Sequence, residues 1–282
     1  MRRYFSLVKF SHTVFALPFA LIGFGLAILS GKAKFELGTL LLVLACMVFA
    51  RSAAMAFNRL VDRKFDARNP RTATREIPAG SISPAAARLL VIVCVLAFVT
   101  CTWFINRLCF YLSPIALLVI LGYSYTKRFT PLCHLVLGAG LALAPVGAYI
   151  ALTSEFDLLP VLFGLIVFFW VSGFDVIYAL QDEEFDRLHQ LRSLPVLMGK
   201  QSALLLSRVL HLIAAVLVIT VFFIGNFGWL YIPGALTFIG LLIFQHTIVT
   251  PADLSRVNLA FGTTNGYASV IFCIFVCSDI YF

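Results

Sequence analysis

Residues 37–57 read LGTLLLVLACMVFARSAAMAF, and the chain continues directly into the polar stretch NRLVDRKFDARNPRTATREIPAG at residues 58–80. The apolar part has the length of a membrane-spanning helix, which needs about 20 mainly apolar residues. Similar runs recur at about 12–30, 86–105, 108–125, 132–152, 158–180, 203–224, 229–249 and 259–281. The sequence therefore predicts an all-α, polytopic membrane protein with about nine transmembrane helices.

The composition excludes a water-soluble fold. Of the 282 residues, 61% are hydrophobic and 12% are charged, whereas soluble domains carry about 25% charged residues. A soluble fold could not hide so much apolar surface. No Pro/Ser-rich linker or low-complexity tract divides the chain, so we expect a single domain over residues 1–282. The seven cysteines form no CxxC pair and are interpreted as small buried residues.

The net charge of +8 comes mostly from one side of the predicted bundle. Eighteen of the 21 lysines and arginines lie in the N-terminal tail or at the connections that follow even-numbered spans, and only Lys32, Lys34 and Arg107 lie on the other side. The positive-inside rule then predicts a cytoplasmic N-terminus and an external C-terminus in the inner (plasma) membrane. The same rule explains the charge without a nucleic-acid partner. The lipid bilayer is the expected surrounding, and no obligatory protein partner is indicated.

The first polar cluster follows the second predicted span. Asn58, Asp62 and Asp66 are spaced four residues apart, which places them on one helical face. Like charges at this spacing destabilise a helix, and a bound divalent cation would remove that penalty. Oxygen ligands with an incomplete protein shell suit Mg²⁺, which also binds substrate phosphates. The loop that follows carries the cations Arg71 and Arg75.

The second polar cluster follows the sixth predicted span. Asp182 and Asp186 are again four residues apart, and Asp175 lies two turns earlier, at a depth where an ionisable residue indicates a functional site. A third patch, from Tyr123 to Arg128, ends the fourth span. Because all three follow even-numbered spans, we expect them on the cytoplasmic side. Together they predict a metal–diphosphate site, whereas the five histidines are not expected to cluster.

These residues resemble the motifs of the UbiA superfamily of intramembrane prenyltransferases. The family pattern is Asn-Asp-x-x-Asp-x-x-x-Asp, then Arg-Thr-x-x-Arg-Pro, and after the sixth helix Tyr-Ala-x-x-Asp-x-x-x-Asp. This chain matches both motifs, the second from Tyr178 to Asp186, but has Arg59 where Asp is common and Glu76 where Pro is usual. Its motifs are most similar to those of the branches that prenylate 4-hydroxybenzoate and the menaquinone precursor.

The resemblance implies a nine-helix bundle around a central cavity with a cytoplasmic cap. It also implies Mg²⁺-dependent transfer of a polyprenyl group from polyprenyl diphosphate to an aromatic acceptor of the 4-hydroxybenzoate type, in quinone biosynthesis. Asp62, Asp66, Asp182 and Asp186 would be the catalytic residues and, with Asn58, the metal ligands. The expected substrate-binding residues are Asn58, Arg71, Arg75, Tyr123, Lys127, Asp175 and Tyr178.

Three alternatives remain at this point. The acceptor could be a naphthoquinone (menaquinone) precursor, or the reaction could be haem farnesylation or chlorophyll-type prenylation. A transporter is a different class, and such proteins often show inverted repeats and broken mid-membrane helices. A phosphatidyl-alcohol transferase is not indicated, because the chain lacks the Asp-Gly-x₂-Ala-Arg pattern of that family.

Overall fold

The computed structural model describes residue 7 and residues 15–282, and in this part of the chain it contains helices and no strand. We number the helices α1 (Leu17–Leu29), α2 (Leu37–Asp66), α3 (Pro84–Ile105), α4 (Arg107–Thr126), α5 (Cys133–Thr153), α6 (Leu158–Ala179), α7 (Glu183–Leu188), α8 (Leu194–Ile224), α9 (Tyr231–Ile248) and α10 (Asn265–Tyr281). A 3₁₀ turn, Leu180–Asp182, joins α6 to α7, and a π-helical turn, Leu259–Thr264, leads into α10.

The prediction of an all-α, multi-pass membrane protein is confirmed. Eight helical segments within the described residues are long and apolar enough to cross a bilayer, and α1 is a shorter apolar helix of 13 residues. Residues 12–14 of the first predicted span lie outside the described residues. So do Arg2, Arg3 and Lys9, which contributed to the predicted orientation.

Two predicted boundaries were wrong. The seventh predicted span began at residue 203, but α8 begins at Leu194 and bends at Gly199, whose φ of 78° lies in the left-handed region that favours glycine. The second cluster is also not on one uninterrupted helix. Helix α6 ends at Ala179, so Asp182 closes the 3₁₀ turn and Asp186 lies on the short helix α7. The two aspartates keep their spacing but not a continuous helical face.

Local sequence explains how the ends of α3 and α4 are fixed. The Ser83 hydroxyl caps α3 by accepting a hydrogen bond from the Ala86 amide at 3.1 Å. The Asn106 side chain separates α3 from α4 and accepts from the Cys109 amide at 2.8 Å. Its amide nitrogen also donates to the Ile150 carbonyl at the end of α5. Asn106 thereby ties the α3–α4 connection to α5.

Helix α6 lies at the centre of the bundle and packs against α5 and α8. It is apolar on all sides, which is typical of a helix surrounded by other helices. Trp170 of α6 is fully buried against Phe19 of α1 and Phe238 of α9. Helix α1 also approaches α5 closely, since a Cβ atom at Gly23 would lie 2.1 Å from the Pro145 carbonyl oxygen. This packing places the end of α6 beside the ends of α2 and α4.

Candidate active site

A cavity of about 1030 Å³ lies between α2, α4, α5, α6 and the loop that follows α2. Its wall includes every residue that the sequence predicted for the site: Asn58, Asp62, Asp66, Arg71, Arg75, Tyr123, Lys127, Asp175, Tyr178, Asp182 and Asp186. The three polar clusters therefore meet at one end of the bundle, although they come from three different parts of the chain.

The first cluster is held by ion pairs with two arginines. Arg75 Nη1 lies 2.6 Å from Asp66 Oδ1, and Arg128 Nη2 lies 3.3 Å from Asp62 Oδ1. The Asn58 amide donates to Asp62 Oδ2 at 3.1 Å, which confirms that these residues share a helical face. Because Asn58 uses its nitrogen in this contact, its carbonyl oxygen is left for another partner.

Asp182 of the second cluster is held by the loop after α2. The Arg71 guanidinium binds both of its carboxylate oxygens, with Nε 3.0 Å from Oδ1. Asn69 donates to the same Oδ1 at 3.1 Å, and Arg71 also donates to the Tyr178 hydroxyl at 2.8 Å. Burial opposes the charged form of Arg71, but the hydrogen bonds and charge of Asp182 outweigh it, so the pKa of Arg71 is raised above its ordinary value.

Asp186 is paired with the patch that ends α4. Lys127 Nζ lies 2.7 Å from Asp186 Oδ2, and the Ser193 hydroxyl donates to the same oxygen at 3.3 Å. Burial disfavours the charged ammonium, but the charge and hydrogen bond of Asp186 raise the pKa of Lys127. Each of the four motif aspartates thus has one Lys or Arg partner in the cavity wall.

The carboxylates retain oxygens suited to a cation. Asp66 Oδ2 and Asp186 Oδ1 are buried and have no hydrogen-bond partner, which is costly for a carboxylate oxygen. Among the described residues, no three His, Cys, Asp or Glu side chains are gathered closely enough to hold a metal by themselves. Mg²⁺ usually binds through one or two carboxylates and completes its shell with water and substrate phosphates. The donor set therefore fits Mg²⁺ bound together with a phosphate.

A second polar layer lies deeper in the cavity. Arg51 precedes Asn58 on α2 by seven positions, which is about 10 Å along a helix. Asp175 precedes Asp182 by seven positions and lies near the end of α6. Tyr123 lies within electrostatic range of both. The Nε atom of Arg51 is buried without a hydrogen-bond partner. His134 lies 2.7 Å from Asp175. This layer places a cation, a phenol and a carboxylate below the motif aspartates.

Most of the remaining wall of the cavity is apolar. It includes Val43 and Phe98, together with Ile115 and Phe156, whose exposed fractions are 60% and 58%. Because exposed residues line this part, the cavity reaches the lipid-facing surface of the bundle there. A ligand with a charged head and a long apolar tail fits a cavity that is polar at one end and open to lipid at the other.

The two positions that depart from the family pattern lie in the same cavity wall. Arg59 is 4% exposed, and its Nε atom is buried without a hydrogen-bond partner. It lies within electrostatic range of Asp66 and Glu76. The replacement of Asp by Arg therefore does more than remove a carboxylate, because it adds a buried cation that no carboxylate in the described chain binds directly.

Two of the histidines contact each other, which the sequence did not predict. His211 Nδ1 and His246 Nε2 are 2.9 Å apart, and His211 Nε2 lies 3.2 Å from the Trp170 carbonyl oxygen. The pair joins α8 to α9 and does not line the cavity.

Sequence reasoning missed Asn69 and His134 as cavity residues, and it placed Arg128 in the third patch without naming it as a site residue. A single arginine at a helix end is usually a solvated charge, and the loop position of Asn69 gave only a general turn signal before Pro70. His134 has no neighbouring motif in the sequence. Its partner Asp175 was the available signal, because a carboxylate at membrane depth requires a polar partner.

The fold and cavity define an integral membrane protein with a charged cavity at one end of a helical bundle. The profile of the UbiA prenyltransferase family matches residues 16–271, and the chain belongs to this family of prenyltransferases. It is 30% identical over 241 residues to the 4-hydroxybenzoate octaprenyltransferase of Tolumonas auensis, covering 83% of this chain and 82% of the relative. It is 27% identical to the enzyme of the same name from Citrobacter koseri, covering 84% and 82%.

Solved structures agree with this assignment. A UbiA homologue from Aeropyrum pernix K1, solved in its apo form, superposes with a TM-score of 0.86 at 33% identity, covering 95% of this chain and 98% of the other. A UbiA homologue from Archaeoglobus fulgidus, bound to GPP and Mg²⁺, gives a TM-score of 0.74 at 22% identity, covering 99% and 100%. The second likeness concerns the fold alone.

Proposed function

We propose that this protein transfers a polyprenyl group from polyprenyl diphosphate to an aromatic acid of the 4-hydroxybenzoate type, with Mg²⁺ as the metal. The observation that carries the proposal is the set of four ion pairs in one cavity, in which Asp62, Asp66, Asp182 and Asp186 each bind one cation. A diphosphate with its metal carries the same two kinds of charge. The metal can therefore bind the aspartates in place of the side-chain cations, and the diphosphate can bind those cations in place of the aspartates. No charge is then left uncompensated.

The residues divide into two groups by charge. Asn58 and the four motif aspartates would hold Mg²⁺, and the bound metal would supply stabilisation of the negative charge on the departing diphosphate. Arg71, Arg75 and Lys127 would turn from their aspartates to the diphosphate oxygens. The Tyr178 hydroxyl accepts a hydrogen bond from Arg71 at 2.8 Å. This contact would keep the guanidinium at the cavity wall while it turns to the diphosphate. Residues 1–282 would form one such domain.

The acceptor site is proposed in the deeper polar layer. Arg51 is a cavity cation whose buried Nε has no partner, and a guanidinium is well suited to bind a carboxylate. Tyr123, which lies within electrostatic range of Arg51, would lie beside the acceptor ring. The apolar wall would exclude water from the allylic cation that forms when the diphosphate departs. The prenyl tail would leave through the lipid-facing opening near Ile115 and Phe156.

The names of relatives support this choice of substrates. The two curated relatives are 4-hydroxybenzoate octaprenyltransferases, and the Archaeoglobus fulgidus homologue has been solved with GPP and with DMAPP, in each case with Mg²⁺. We also propose that the site faces the cytoplasm from the inner membrane, because 18 of 21 basic residues belong to that side of the sequence-predicted topology.

The proposal is tested with membranes that contain the protein, labelled geranyl diphosphate and Mg²⁺. The acceptors are 4-hydroxybenzoate, a dihydroxynaphthoate and, as the matched control without a carboxylate, 4-hydroxybenzyl alcohol. We expect a product with the mass of geranylated 4-hydroxybenzoate and little product from the alcohol. Product from the naphthoate alone would transfer the assignment to a naphthoquinone precursor. Absence of product from every acceptor would overturn the proposal.

A further inference from the structure

A hydrogen-bonded pair of side chains in the deeper layer, His134 and Asp175, has no part in the diphosphate site described above. His134 Nδ1 lies 2.7 Å from Asp175 Oδ2 and joins α5 to α6. Both residues line the cavity. The His134 side chain is 3% exposed, whereas that of Asp175 is 21% exposed, so the carboxylate is the member that faces the cavity. The question is what this carboxylate does there.

The contacts of His134 fix the orientation of its ring. Nε2 lies 3.4 Å from the backbone amide nitrogen of Leu194, and Nδ1 faces Asp175 at 2.7 Å. We assign a proton to Nδ1, so that His134 donates to Asp175. This hydrogen bond orients the carboxylate. This arrangement resembles the way a buried partner fixes a catalytic group in other enzymes.

Asp175 differs from the motif aspartates in its partners. Each of those four carboxylates has a Lys or Arg ion-pair partner, whereas Asp175 has none among the described residues and makes its hydrogen bond to His134 alone. It also lies seven residues before Asp182, one turn inside the end of α6 at Ala179. Asp175 belongs to the same polar layer as Arg51 and Tyr123, in which the acceptor ring is proposed to bind.

Prenylation of an aromatic carbon requires a base in this layer. The allylic C–O bond breaks and its electron pair leaves with the diphosphate, while a ring carbon supplies the pair that forms the new C–C bond. The same ring carbon then holds both a hydrogen and the prenyl group. Its C–H electron pair must return to the ring, and the proton must pass to an acceptor before the product can leave.

From these contacts we propose that Asp175 is the proton acceptor of the reaction and that His134 is its positioning residue. The inference rests on the function proposed above. The Asp175 carboxylate takes the ring proton, and the hydrogen bond from His134 Nδ1 directs the second carboxylate oxygen towards the cavity. The neutralised Asp175 then loses its proton through the polar end of the cavity. The departed diphosphate is the alternative base.

The test compares kcat for 4-hydroxybenzoate and its 3,5-dideuterated form, with labelled geranyl diphosphate, in membranes that contain each variant. Asp175→Asn keeps the shape of the side chain and can still accept from His134. We expect its kcat to fall by roughly 10²-fold, the effect of losing a general base, with an unchanged KM for geranyl diphosphate. Proton removal should then limit the rate, so the deuterated acid should react more slowly in this variant but not in the wild type.

Variants of His134 separate positioning from folding. His134→Gln retains an N–H group that can donate to Asp175, and we expect it to preserve most of the turnover. His134→Leu cannot donate, so its turnover should fall and an isotope effect should appear. Ser172→Ala is the control, because Ser172 is a buried residue of α6 that does not line the cavity and whose hydroxyl donates to the Phe168 carbonyl. Its kcat should match that of the wild type, without an isotope effect.

The possible failures are distinguishable. If the wild type forms no prenylated acid, the proposed function and this inference both fail. If the wild type forms the product but Asp175→Asn keeps near-normal turnover, or loses turnover without an isotope effect, only this inference fails. The diphosphate would then be the base, and the His134–Asp175 hydrogen bond would serve to join α5 to α6.

Discussion

Replacing Asp182 by Asn tests the coupling between the two motifs, because Asp182 is the point at which the loop after α2 meets the end of α6. Its carboxylate accepts hydrogen bonds from Asn69 and, at both oxygens, from Arg71. Asparagine keeps one acceptor oxygen but presents an N–H group where Arg71 donates. The variant therefore loses one charge-assisted hydrogen bond and places two donors in contact.

The structure gives the expected size of the effect on stability. A hydrogen bond to a charged group contributes about 1.5–3 kcal/mol. The Arg71 side chain is 30% exposed and can turn to water, so we expect the lower end, a loss of about 1.5 kcal/mol in the free energy of unfolding. This is too small to prevent folding or insertion into the membrane. Thermal stability is measured by gel filtration in detergent after heating.

The expected effect on activity is larger. Asp182 is proposed to bind the metal that stabilises the departing diphosphate, and loss of one such electrostatic contact typically lowers kcat by roughly 10²–10³-fold. Because this charge acts mainly when the diphosphate departs, the loss should appear in kcat rather than in KM. The assay measures the geranylated product from labelled geranyl diphosphate and 4-hydroxybenzoate.

Glu183→Gln is the matched control. Glu183 follows Asp182 in the sequence, and its replacement by Gln removes the same negative charge. It also has an ion-pair partner, Arg187 at 2.5 Å, but it does not line the cavity. We expect near-normal turnover. Equal losses in the two variants, or near-normal turnover of Asp182→Asn, would refute the reasoning that places Asp182 at the diphosphate.

Three further predictions follow from the same site. Treatment with EDTA should abolish turnover and added Mg²⁺ should restore it, whereas full turnover in metal-free buffer would exclude the proposed metal. Arg59→Met should raise the KM for geranyl diphosphate roughly tenfold, because one charge-assisted hydrogen bond to the diphosphate would be lost. The stability of the substrate-free protein should not fall. An unchanged KM would remove Arg59 from the site. In a background without the seven native cysteines, single cysteines at Arg68 and His189 should react with an impermeant thiol reagent only from the cytoplasmic side, and one at Phe282 only from outside. Labelling of the first two from opposite faces would contradict a shared site.

Much of the site could be predicted because local spacing and topology determine it. A spacing of four residues placed Asn58 and Asp62 on one helical face, and the structure joins them by a hydrogen bond. Counting the spans placed the ends of α2, α4 and α6 on one side of the bundle, and the ion pair between Lys127 and Asp186 confirms that the last two meet.

The partners of these residues could not be predicted, because they depend on long-range packing. Arg71 binds Asp182 across 111 residues of chain, and no local pattern distinguishes it from other loop arginines. The early start of α8 was missed because polar residues near Lys200 interrupt the apolar run. The His211–His246 contact also depends on packing, because the two residues lie 14 residues before and 18 residues after the turn at residues 225–228 and no local spacing pairs them.

The most direct test of the shared cavity is an experimental structure of this protein with geranyl diphosphate and Mg²⁺. We predict that the diphosphate lies between the two aspartate motifs, with Arg71 and Lys127 turned from Asp182 and Asp186 to its oxygens and with the metal on the carboxylates. The geranyl tail should follow the apolar wall. A diphosphate bound elsewhere, with the four ion pairs still closed, would contradict this account.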